Sequence, residues 1–310
     1  RSMMEAGFRS FKQNVDQFQF NGGFEGVIEF ADREFFWDAN YTYADITQNT
    51  STDGLLNMDR VAQAIGDPAN CTGECTPLNL FGGAPNVIGE GTITQEMLDY
   101  ITFTPQDELN SSLESYSANI SGELLELPAG YLAFASGYEK RWQSGYDQPD
   151  AIIAAGITSG NARQPTSGAF SVEEVYLELA VPLLSDMPGV EQLDLELATR
   201  YSDYSNFGDT TNSKIGLKWR INDDLLVRGT WSEAFRAPSL DELFSGNSDS
   251  FAPLTDPCNG GAAGNPELPG CAGIPASYEQ PNTQIRTTVG GNANLEAEED
   301  LQKTVTDLFP

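Results

Sequence analysis

From Phe35 to Tyr43 the odd positions carry Phe35, Trp37, Ala39, Tyr41 and Tyr43, while Asp38, Asn40 and Thr42 lie between them. Successive side chains of a strand point to opposite faces, so this segment predicts a strand with one greasy and one wet face. The period returns along the chain. Leu132, Phe134, Ser136, Tyr138, Lys140 and Trp142 alternate with Ala133, Ala135, Gly137, Glu139 and Arg141. Val175, Leu177, Leu179 and Val181 alternate with Glu174, Tyr176, Glu178 and Ala180. Leu193, Leu195, Leu197, Thr199 and Tyr201 alternate with Asp194, Glu196, Ala198 and Arg200. Ile215, Leu217 and Trp219 repeat the pattern, as do Leu225, Val227, Gly229 and Trp231. Weaker signals lie near 15–23 and 109–121. The pattern therefore predicts about eight strands.

The links between them alternate in size. Short links fall at 26–34, 123–130, 184–191 and 222–224; longer ones at about 46–107, 143–170, 203–212 and 236–310. Short turns at one end and long loops at the other describe an all-β, antiparallel up-and-down transmembrane β-barrel. Residues 1–310 are expected to form part of such a wall, with the long loops 46–107, 143–170 and 236–310 outside the cell. A soluble extracellular β-sandwich or propeller that binds a ligand shares the same periodicity. The face chemistry favours the barrel. Asp194, Glu196, Arg200, Lys214, Lys218, Arg220 and Arg228 suit a watery lumen, and Trp37, Tyr41, Tyr43, Trp142, Tyr201, Trp219 and Trp231 suit interfacial girdles.

Composition narrows the field. Thirty glycines and 17 prolines favour short strands and turns. No apolar run approaches the roughly 18 residues of a spanning helix. A net charge of −30, from 46 acidic and 16 basic residues, repels phosphate backbones and argues against nucleic acid as a partner. The acidity reads as loop solubility; cation binding in acidic loops is the sharper reading. The opening Arg1-Ser2-Met3-Met4-Glu5 has no apolar h-region, so the natural start is expected upstream.

Cys71 with Cys75, and Cys258 with Cys271, sit in Pro-, Gly- and Asn-rich stretches of the long loops. Such local pairs suit disulfides in an oxidising compartment. Zinc suits them less, since only the first pair has Cys-x₂₋₄-Cys spacing and the chain has no histidine. The same lack excludes a Ser-His-Asp triad, a Cys-His pair and an HExxH helix. No nucleotide-binding glycine motif occurs, and no carboxylate pair stands out for glycoside cleavage. No enzyme, cofactor or metal site is expected. The segment from Asp203 to Asp209 echoes a calcium loop, but Phe207 occupies a ligand position, so a polar strand-end loop is the better reading.

Some segments resemble a known family. Arg200-Tyr201-Ser202-Asp203-Tyr204-Ser205, Gly216-Leu217-Lys218-Trp219-Arg220 and Leu225–Ser232 resemble the mid-barrel of TonB-dependent outer-membrane receptors. The most specific stretch follows, where Ser232, Phe235, Arg236, Ala237, Pro238, Glu242, Leu243 and Phe244 match the family pattern S-x-x-F-R-A-P-x-x-x-E-L-F. Gly291-Asn292-Ala293-Asn294-Leu295-Glu296-Ala297-Glu298 resembles G-N-P-x-L-x-P-E, with alanine at both proline positions. Cys75–Gly82 looks like the cysteine loop of one receptor subgroup, and Leu127-Pro128-Ala129-Gly130 like a periplasmic turn. The tail 300–310 departs from the pattern.

The resemblance implies a barrel of about 22 strands in the bacterial outer membrane, filled by an N-terminal plug. It implies a small-molecule ligand (an iron chelate, cobalamin or an oligosaccharide) and energy from the TonB complex acting through the plug. Neither plug nor TonB box is expected within these residues. Arg236 and Glu242, six residues apart, are placed to pair at a strand-to-loop corner, where Pro238 halts the ladder. Loop residues Phe251, Tyr278, Asp249 and Asp256 are further candidates for ligand contact, with nothing in the sequence to rank them.

Overall fold

The computed structural model describes residues 4–80, 93–260 and 267–308. In chain order the strands are β1 (Ser10–Phe30), β2 (Arg33–Asp53), β3 (Leu55–Leu56), β4 (Thr102–Phe103), β5 (Gln106–Leu127), β6 (Gly130–Gln148) and β7 (Thr166–Met187). They continue with β8 (Val190–Tyr204), β9 (Gly208–Asn222), β10 (Leu225–Arg236), β11 (Ser248–Pro253), β12 (Gln284–Val289) and β13 (Glu298–Leu308). Four short helices lie in the loops: α1 (Met58–Ile65), α2 (Gln95–Ile101), α3 (Ala151–Ala154) and α4 (Leu240–Phe244).

Among the described residues, nine strands form one sheet in the order β1-β2-β5-β6-β7-β8-β9-β10-β13, each antiparallel to its neighbour. The sheet is open, with β1 and β13 at its edges. All eight predicted strands are present. The ninth, β13, lies inside the stretch expected to be loop 236–310, where Glu298–Leu308 pairs with Leu226–Arg236. Its sequence sets Leu301 and Val305 among Glu, Asp, Lys, Gln and Thr, so alternation is faint and pairing with β10 decides its state.

The other long loops are shorter than expected. β2 continues to Asp53 and β5 begins at Gln106, which trims 46–107; β6 reaches Gln148 and β7 begins at Thr166, which trims 143–170. These strand ends are mostly polar, with only isolated apolar residues such as Ile46 and Phe170, and the strand signal fades where neither face is consistently apolar. The connection expected at 203–212 is corrected most: β8 and β9 are joined only by Ser205, Asn206 and Phe207. At the opposite end, Ala31-Asp32, Pro128-Ala129, Pro188-Gly189 and Asp223-Asp224 are two-residue hairpins. Ala31 and Asp32 both adopt the left-handed conformation, at φ 54° and 57°, which matches the twist of the flanking strands.

Register assigns the faces. Tyr43 lies opposite Glu114, and Glu114 opposite Trp142; Leu177 lies opposite Thr199, and Ile215 opposite Trp231. One face of the sheet therefore gathers the greasy series. Phe20, Tyr41, Tyr116 and Trp142 form a continuous row across β1, β2, β5 and β6, with ring centroids 6.2, 4.8 and 5.8 Å apart. Between this row and the tight turns lie Phe24, Ile28, Ile120, Leu177 and Leu217, all exposed. No second large sheet covers them among the described residues, so the sandwich alternative lacks its packing partner. Towards the long loops the same face turns polar: Asp45, Thr47 and Asn49 on β2, with Asn110 bonding Asp45 and Thr47 at 3.2 and 3.1 Å. The apolar stretch thus covers about the 9–11 residues a spanning strand requires, whereas β2 has 21 residues. The strands rise well past the lipid band.

Candidate functional site

The face opposite the aromatic row is predominantly polar and carries a hydrogen-bonded track across five strands. Asn119 donates to Asp38 at 2.8 Å, and the Tyr176 hydroxyl donates to Asn119 at 2.9 Å. Tyr176 reaches two strands away because Gly137 lies beneath it; a Cβ there would sit 2.5 Å from the Tyr176 ring. The Arg200 guanidinium lies 5.4 Å from the Tyr176 ring centroid and 3.8 Å from Glu174. Buried Ser202 donates to Glu174 at 2.6 Å. Phe36 and Val27 also lie on this side, paired with one another, so the face is wet but not uniformly so.

The motif from Phe235 to Phe244 folds back onto this inner face at the long-loop end. Arg236 donates to both oxygens of Glu242 at 3.0 Å and also to Glu298 at 2.7 Å. Ser239 and Glu242 cap α4 reciprocally: the Glu242 amide donates to Ser239 Oγ at 3.2 Å, and the Ser239 amide donates to Glu242 Oε2 at 2.8 Å. The Arg236 guanidinium, with these caps, holds the Glu242 carboxyl at a pKa of about 2. Leu243 is buried. Phe244 lies against Gly168 of β7, where an added Cβ would meet its ring at 2.1 Å. Phe235 packs on Tyr204 at 5.9 Å, and Ala237 lies in the same cluster with Phe170, Val172 and Phe207. Pro238 separates β10 from α4. The second resembling segment meets the first here, since the Asn292 amide donates to the Glu242 carbonyl at 2.8 Å and Gly291 to the Ser245 carbonyl at 2.8 Å. That contact is made by backbone groups ahead of Ala293 and Ala297, the two alanines at the proline positions of the pattern.

The Asp203–Asp209 echo of a calcium loop is a packed corner: Tyr204 and Phe207 stack at 4.6 Å.

The long loops are joined into one rim. The Met58 amide donates to the Ile157 carbonyl at 2.8 Å, Ser159 to Leu56 at 3.0 Å, Gln164 to Asn247 at 2.8 Å and Asp249 to Ala162 at 2.9 Å. Arg163 bonds Asp107 at 2.8 Å, a link with no sequence signature because its partners are 56 residues apart. Beneath the rim is a cavity of about 360 Å³ lined by Phe11, Leu55, Ile153, Arg163 and Asp249 among others. Of the loop candidates, Asp249 is thus in the rim, and Arg286 at 2.9 Å holds its carboxyl below the usual range. Phe251 is exposed on β11. Tyr278 donates to Asp256 at 2.9 Å, which raises the phenol pKa.

Disulfides join Cys71 to Cys75 and Cys258 to Cys271, with S–S distances of 2.07 and 2.03 Å. The first closes a turn between α1 and Leu78, which joins Val61, Ala64, Leu98 and Ile101 in a small core. Phe81 and Gly82, the end of the resembling cysteine loop, lie outside the described residues.

A family model described as TonB dependent receptor-like, beta-barrel, matches residues 5–305. No curated protein matches the chain. Among solved structures, the siderophore receptor PirA from Acinetobacter baumannii is similar at 14% identity with a TM-score of 0.43, over 90% of this chain. The chain spans 32% of that receptor's length.

Proposed function

The chain belongs to the TonB-dependent receptor-like β-barrel family, outer-membrane transporters rather than enzymes, and from that premise we propose that it is part of the wall of a receptor that imports a ligand. The ligand is an iron chelate, cobalamin or an oligosaccharide, taken up with energy from the TonB complex acting through a plug inside the barrel. The described parts of the loops 54–105 and 149–165, and of the segment between α4 and β13, lie outside the cell and form the ligand's entrance. The observation that carries this reading is the separation of faces: an uncovered apolar band with an aromatic row on one side, and a polar hydrogen-bonded track on the other. The motif corner serves as the anchor that turns the chain from β10 into the entrance loop.

The test uses the full-length receptor. It should fractionate with the outer membrane, show heat-modifiable gel mobility, and support uptake of one of these ligand classes that stops when the proton gradient is collapsed. Recovery in the soluble fraction without a gel shift would overturn the barrel; a folded barrel whose uptake is indifferent to the gradient would overturn the TonB coupling.

A further inference from the structure

The chain has two Asn-Gly pairs, Asn21-Gly22 and Asn259-Gly260. Glycine leaves the backbone nitrogen after asparagine unshielded and mobile, so that nitrogen attacks the asparagine side chain wherever the backbone is free to bring the two together. Asn21 and Gly22 lie in β1, paired to Thr42 and Tyr41 of β2, and the ladder keeps them extended. Asn259 and Gly260 lie instead in a turn between β11 and β12, with Gly260 at φ 85°. A closed set of hydrogen bonds holds that turn. The Gly260 amide donates to the Tyr278 carbonyl at 2.8 Å, which keeps the nitrogen protonated and turned to Tyr278. The Gln280 amide donates to Asn259 Oδ1 at 3.0 Å, which fixes the side chain towards Gln280. Asp256 clamps the same turn. Its carboxylate accepts from the Cys258 amide at 2.8 Å and from the Tyr278 hydroxyl at 2.9 Å, and its own amide donates to Gln280 at 2.8 Å. Cys258, the residue before Asn259, is tied by its disulfide to buried Cys271.

We propose that Asn259 is a deamidation site guarded by this turn and released when a thiol reductant opens the Cys258–Cys271 disulfide. Two thiols reduce the disulfide and are themselves oxidised to a disulfide. Without the cross-link the segment gains conformational entropy when it opens, so it opens more often. Modification proceeds from the open form, and its rate follows the open population. There the Gly260 nitrogen loses its proton and bonds to Asn259 Cγ. The Cγ–Nδ2 bond breaks, and ammonia leaves with that proton. Water then opens the cyclic imide to an aspartyl or an isoaspartyl residue. The aspartyl form still offers an oxygen to the Gln280 amide, so the turn accepts it. The isoaspartyl form adds a methylene to the backbone and shifts Gly260 away from Tyr278. A brief reduction therefore leaves a permanent change in the segment between β11 and β12.

The test incubates full-length receptor in detergent at mildly alkaline pH, with and without a thiol reductant, and follows the peptides around both Asn-Gly pairs by mass spectrometry. Asn259 should stay an amide in the oxidised receptor and convert many-fold faster after reduction, to aspartyl and isoaspartyl products that chromatography separates. Asn21 should stay unconverted in both samples. Two paired variants separate the disulfides without any reductant. Cys258→Ser with Cys271→Ser should convert at Asn259, and Cys71→Ser with Cys75→Ser should not. Equal rates in oxidised and reduced receptor would overturn the guard, and an Asn259 that survives reduction would overturn the site. Conversion of Asn21 alongside Asn259 would also overturn the proposal, since the reaction would then follow opening of the whole sheet. The peptide readout is independent of uptake, so a receptor without transport that still converts at Asn259 bears on the proposed function and leaves the site standing.

Discussion

Arg236 holds two carboxylates at once, and the exposed setting of the three groups makes their geometry more informative than their energy. Glu242 has a folded pKa of about 2, depressed chiefly by Arg236 and then by its bonds to Ser239, against an ordinary value of 4.5. A depressed carboxyl stabilises the fold above its unfolded pKa and loses that contribution as pH falls through the folded one. The corner should therefore keep its ion pair down to about pH 4.5 and lose it progressively towards pH 2. Carboxyl NMR on selectively labelled receptor should place the Glu242 midpoint near 2, and Arg236→Gln should move it up towards the ordinary range. An unmoved midpoint would mean that the helix caps alone set it. The second prediction for single residues concerns Gly168. Ala at this position puts a Cβ 2.1 Å from the Phe244 ring and should destabilise the α4 corner by about 1–3 kcal/mol. Adding Phe244→Ala to Gly168→Ala should make the pair strongly non-additive, measured as protease protection of the loop after α4. Additive losses would place the contact elsewhere.

Each strand has to satisfy two solvents. On β7, Leu177 and Glu178 are sequence neighbours on opposite faces. Leu177→Arg puts a charge into the middle of the apolar band, where the cost is about 2–4 kcal/mol, while Glu178→Arg changes an inner, watery position. Refolding of the full-length receptor into vesicles under a urea gradient should show a lower midpoint for the first variant and little change for the second. Equal losses would argue against a lipid-facing band. The same two-solvent logic explains which strands are legible in the sequence. β2, β6, β7 and β8 carry clean alternation over their spanning parts. Upper parts such as Thr47–Asp53 on β2 are polar on both faces, and there only the ladder reveals the strand.

The sheet taken together is open. β1 and β13 each leave a row of backbone donors and acceptors without a neighbour among the described residues; an unpaired edge is not tolerated in lipid, and in water it invites pairing with another chain. Expressed alone, residues 1–310 should associate through these edges and show no heat-modifiable shift or cooperative melt. A monodisperse, cooperatively melting monomer in sedimentation and calorimetry would contradict the barrel-wall reading. The rim of loops is likewise a property of the assembled chain. Asp107 with Arg163, and Asp249 with Arg286, join segments far apart in sequence into one body.

The order of residues suffices for the alternation, and with it for the eight predicted strands, the two faces, the end at which the shorter links fall and the resemblance carried by Phe235–Phe244. These are local properties: period two needs only neighbouring residues, and a turn needs only two or three. The pairing of Arg236 with Glu242, six residues on, is within that reach. Folding had to add the partnership of Arg236 with Glu298, the seating of Phe244 on Gly168, and the ninth strand β13. Each of these depends on register between segments brought together by the ladder, and register is a property of the pair of strands, absent from either strand alone.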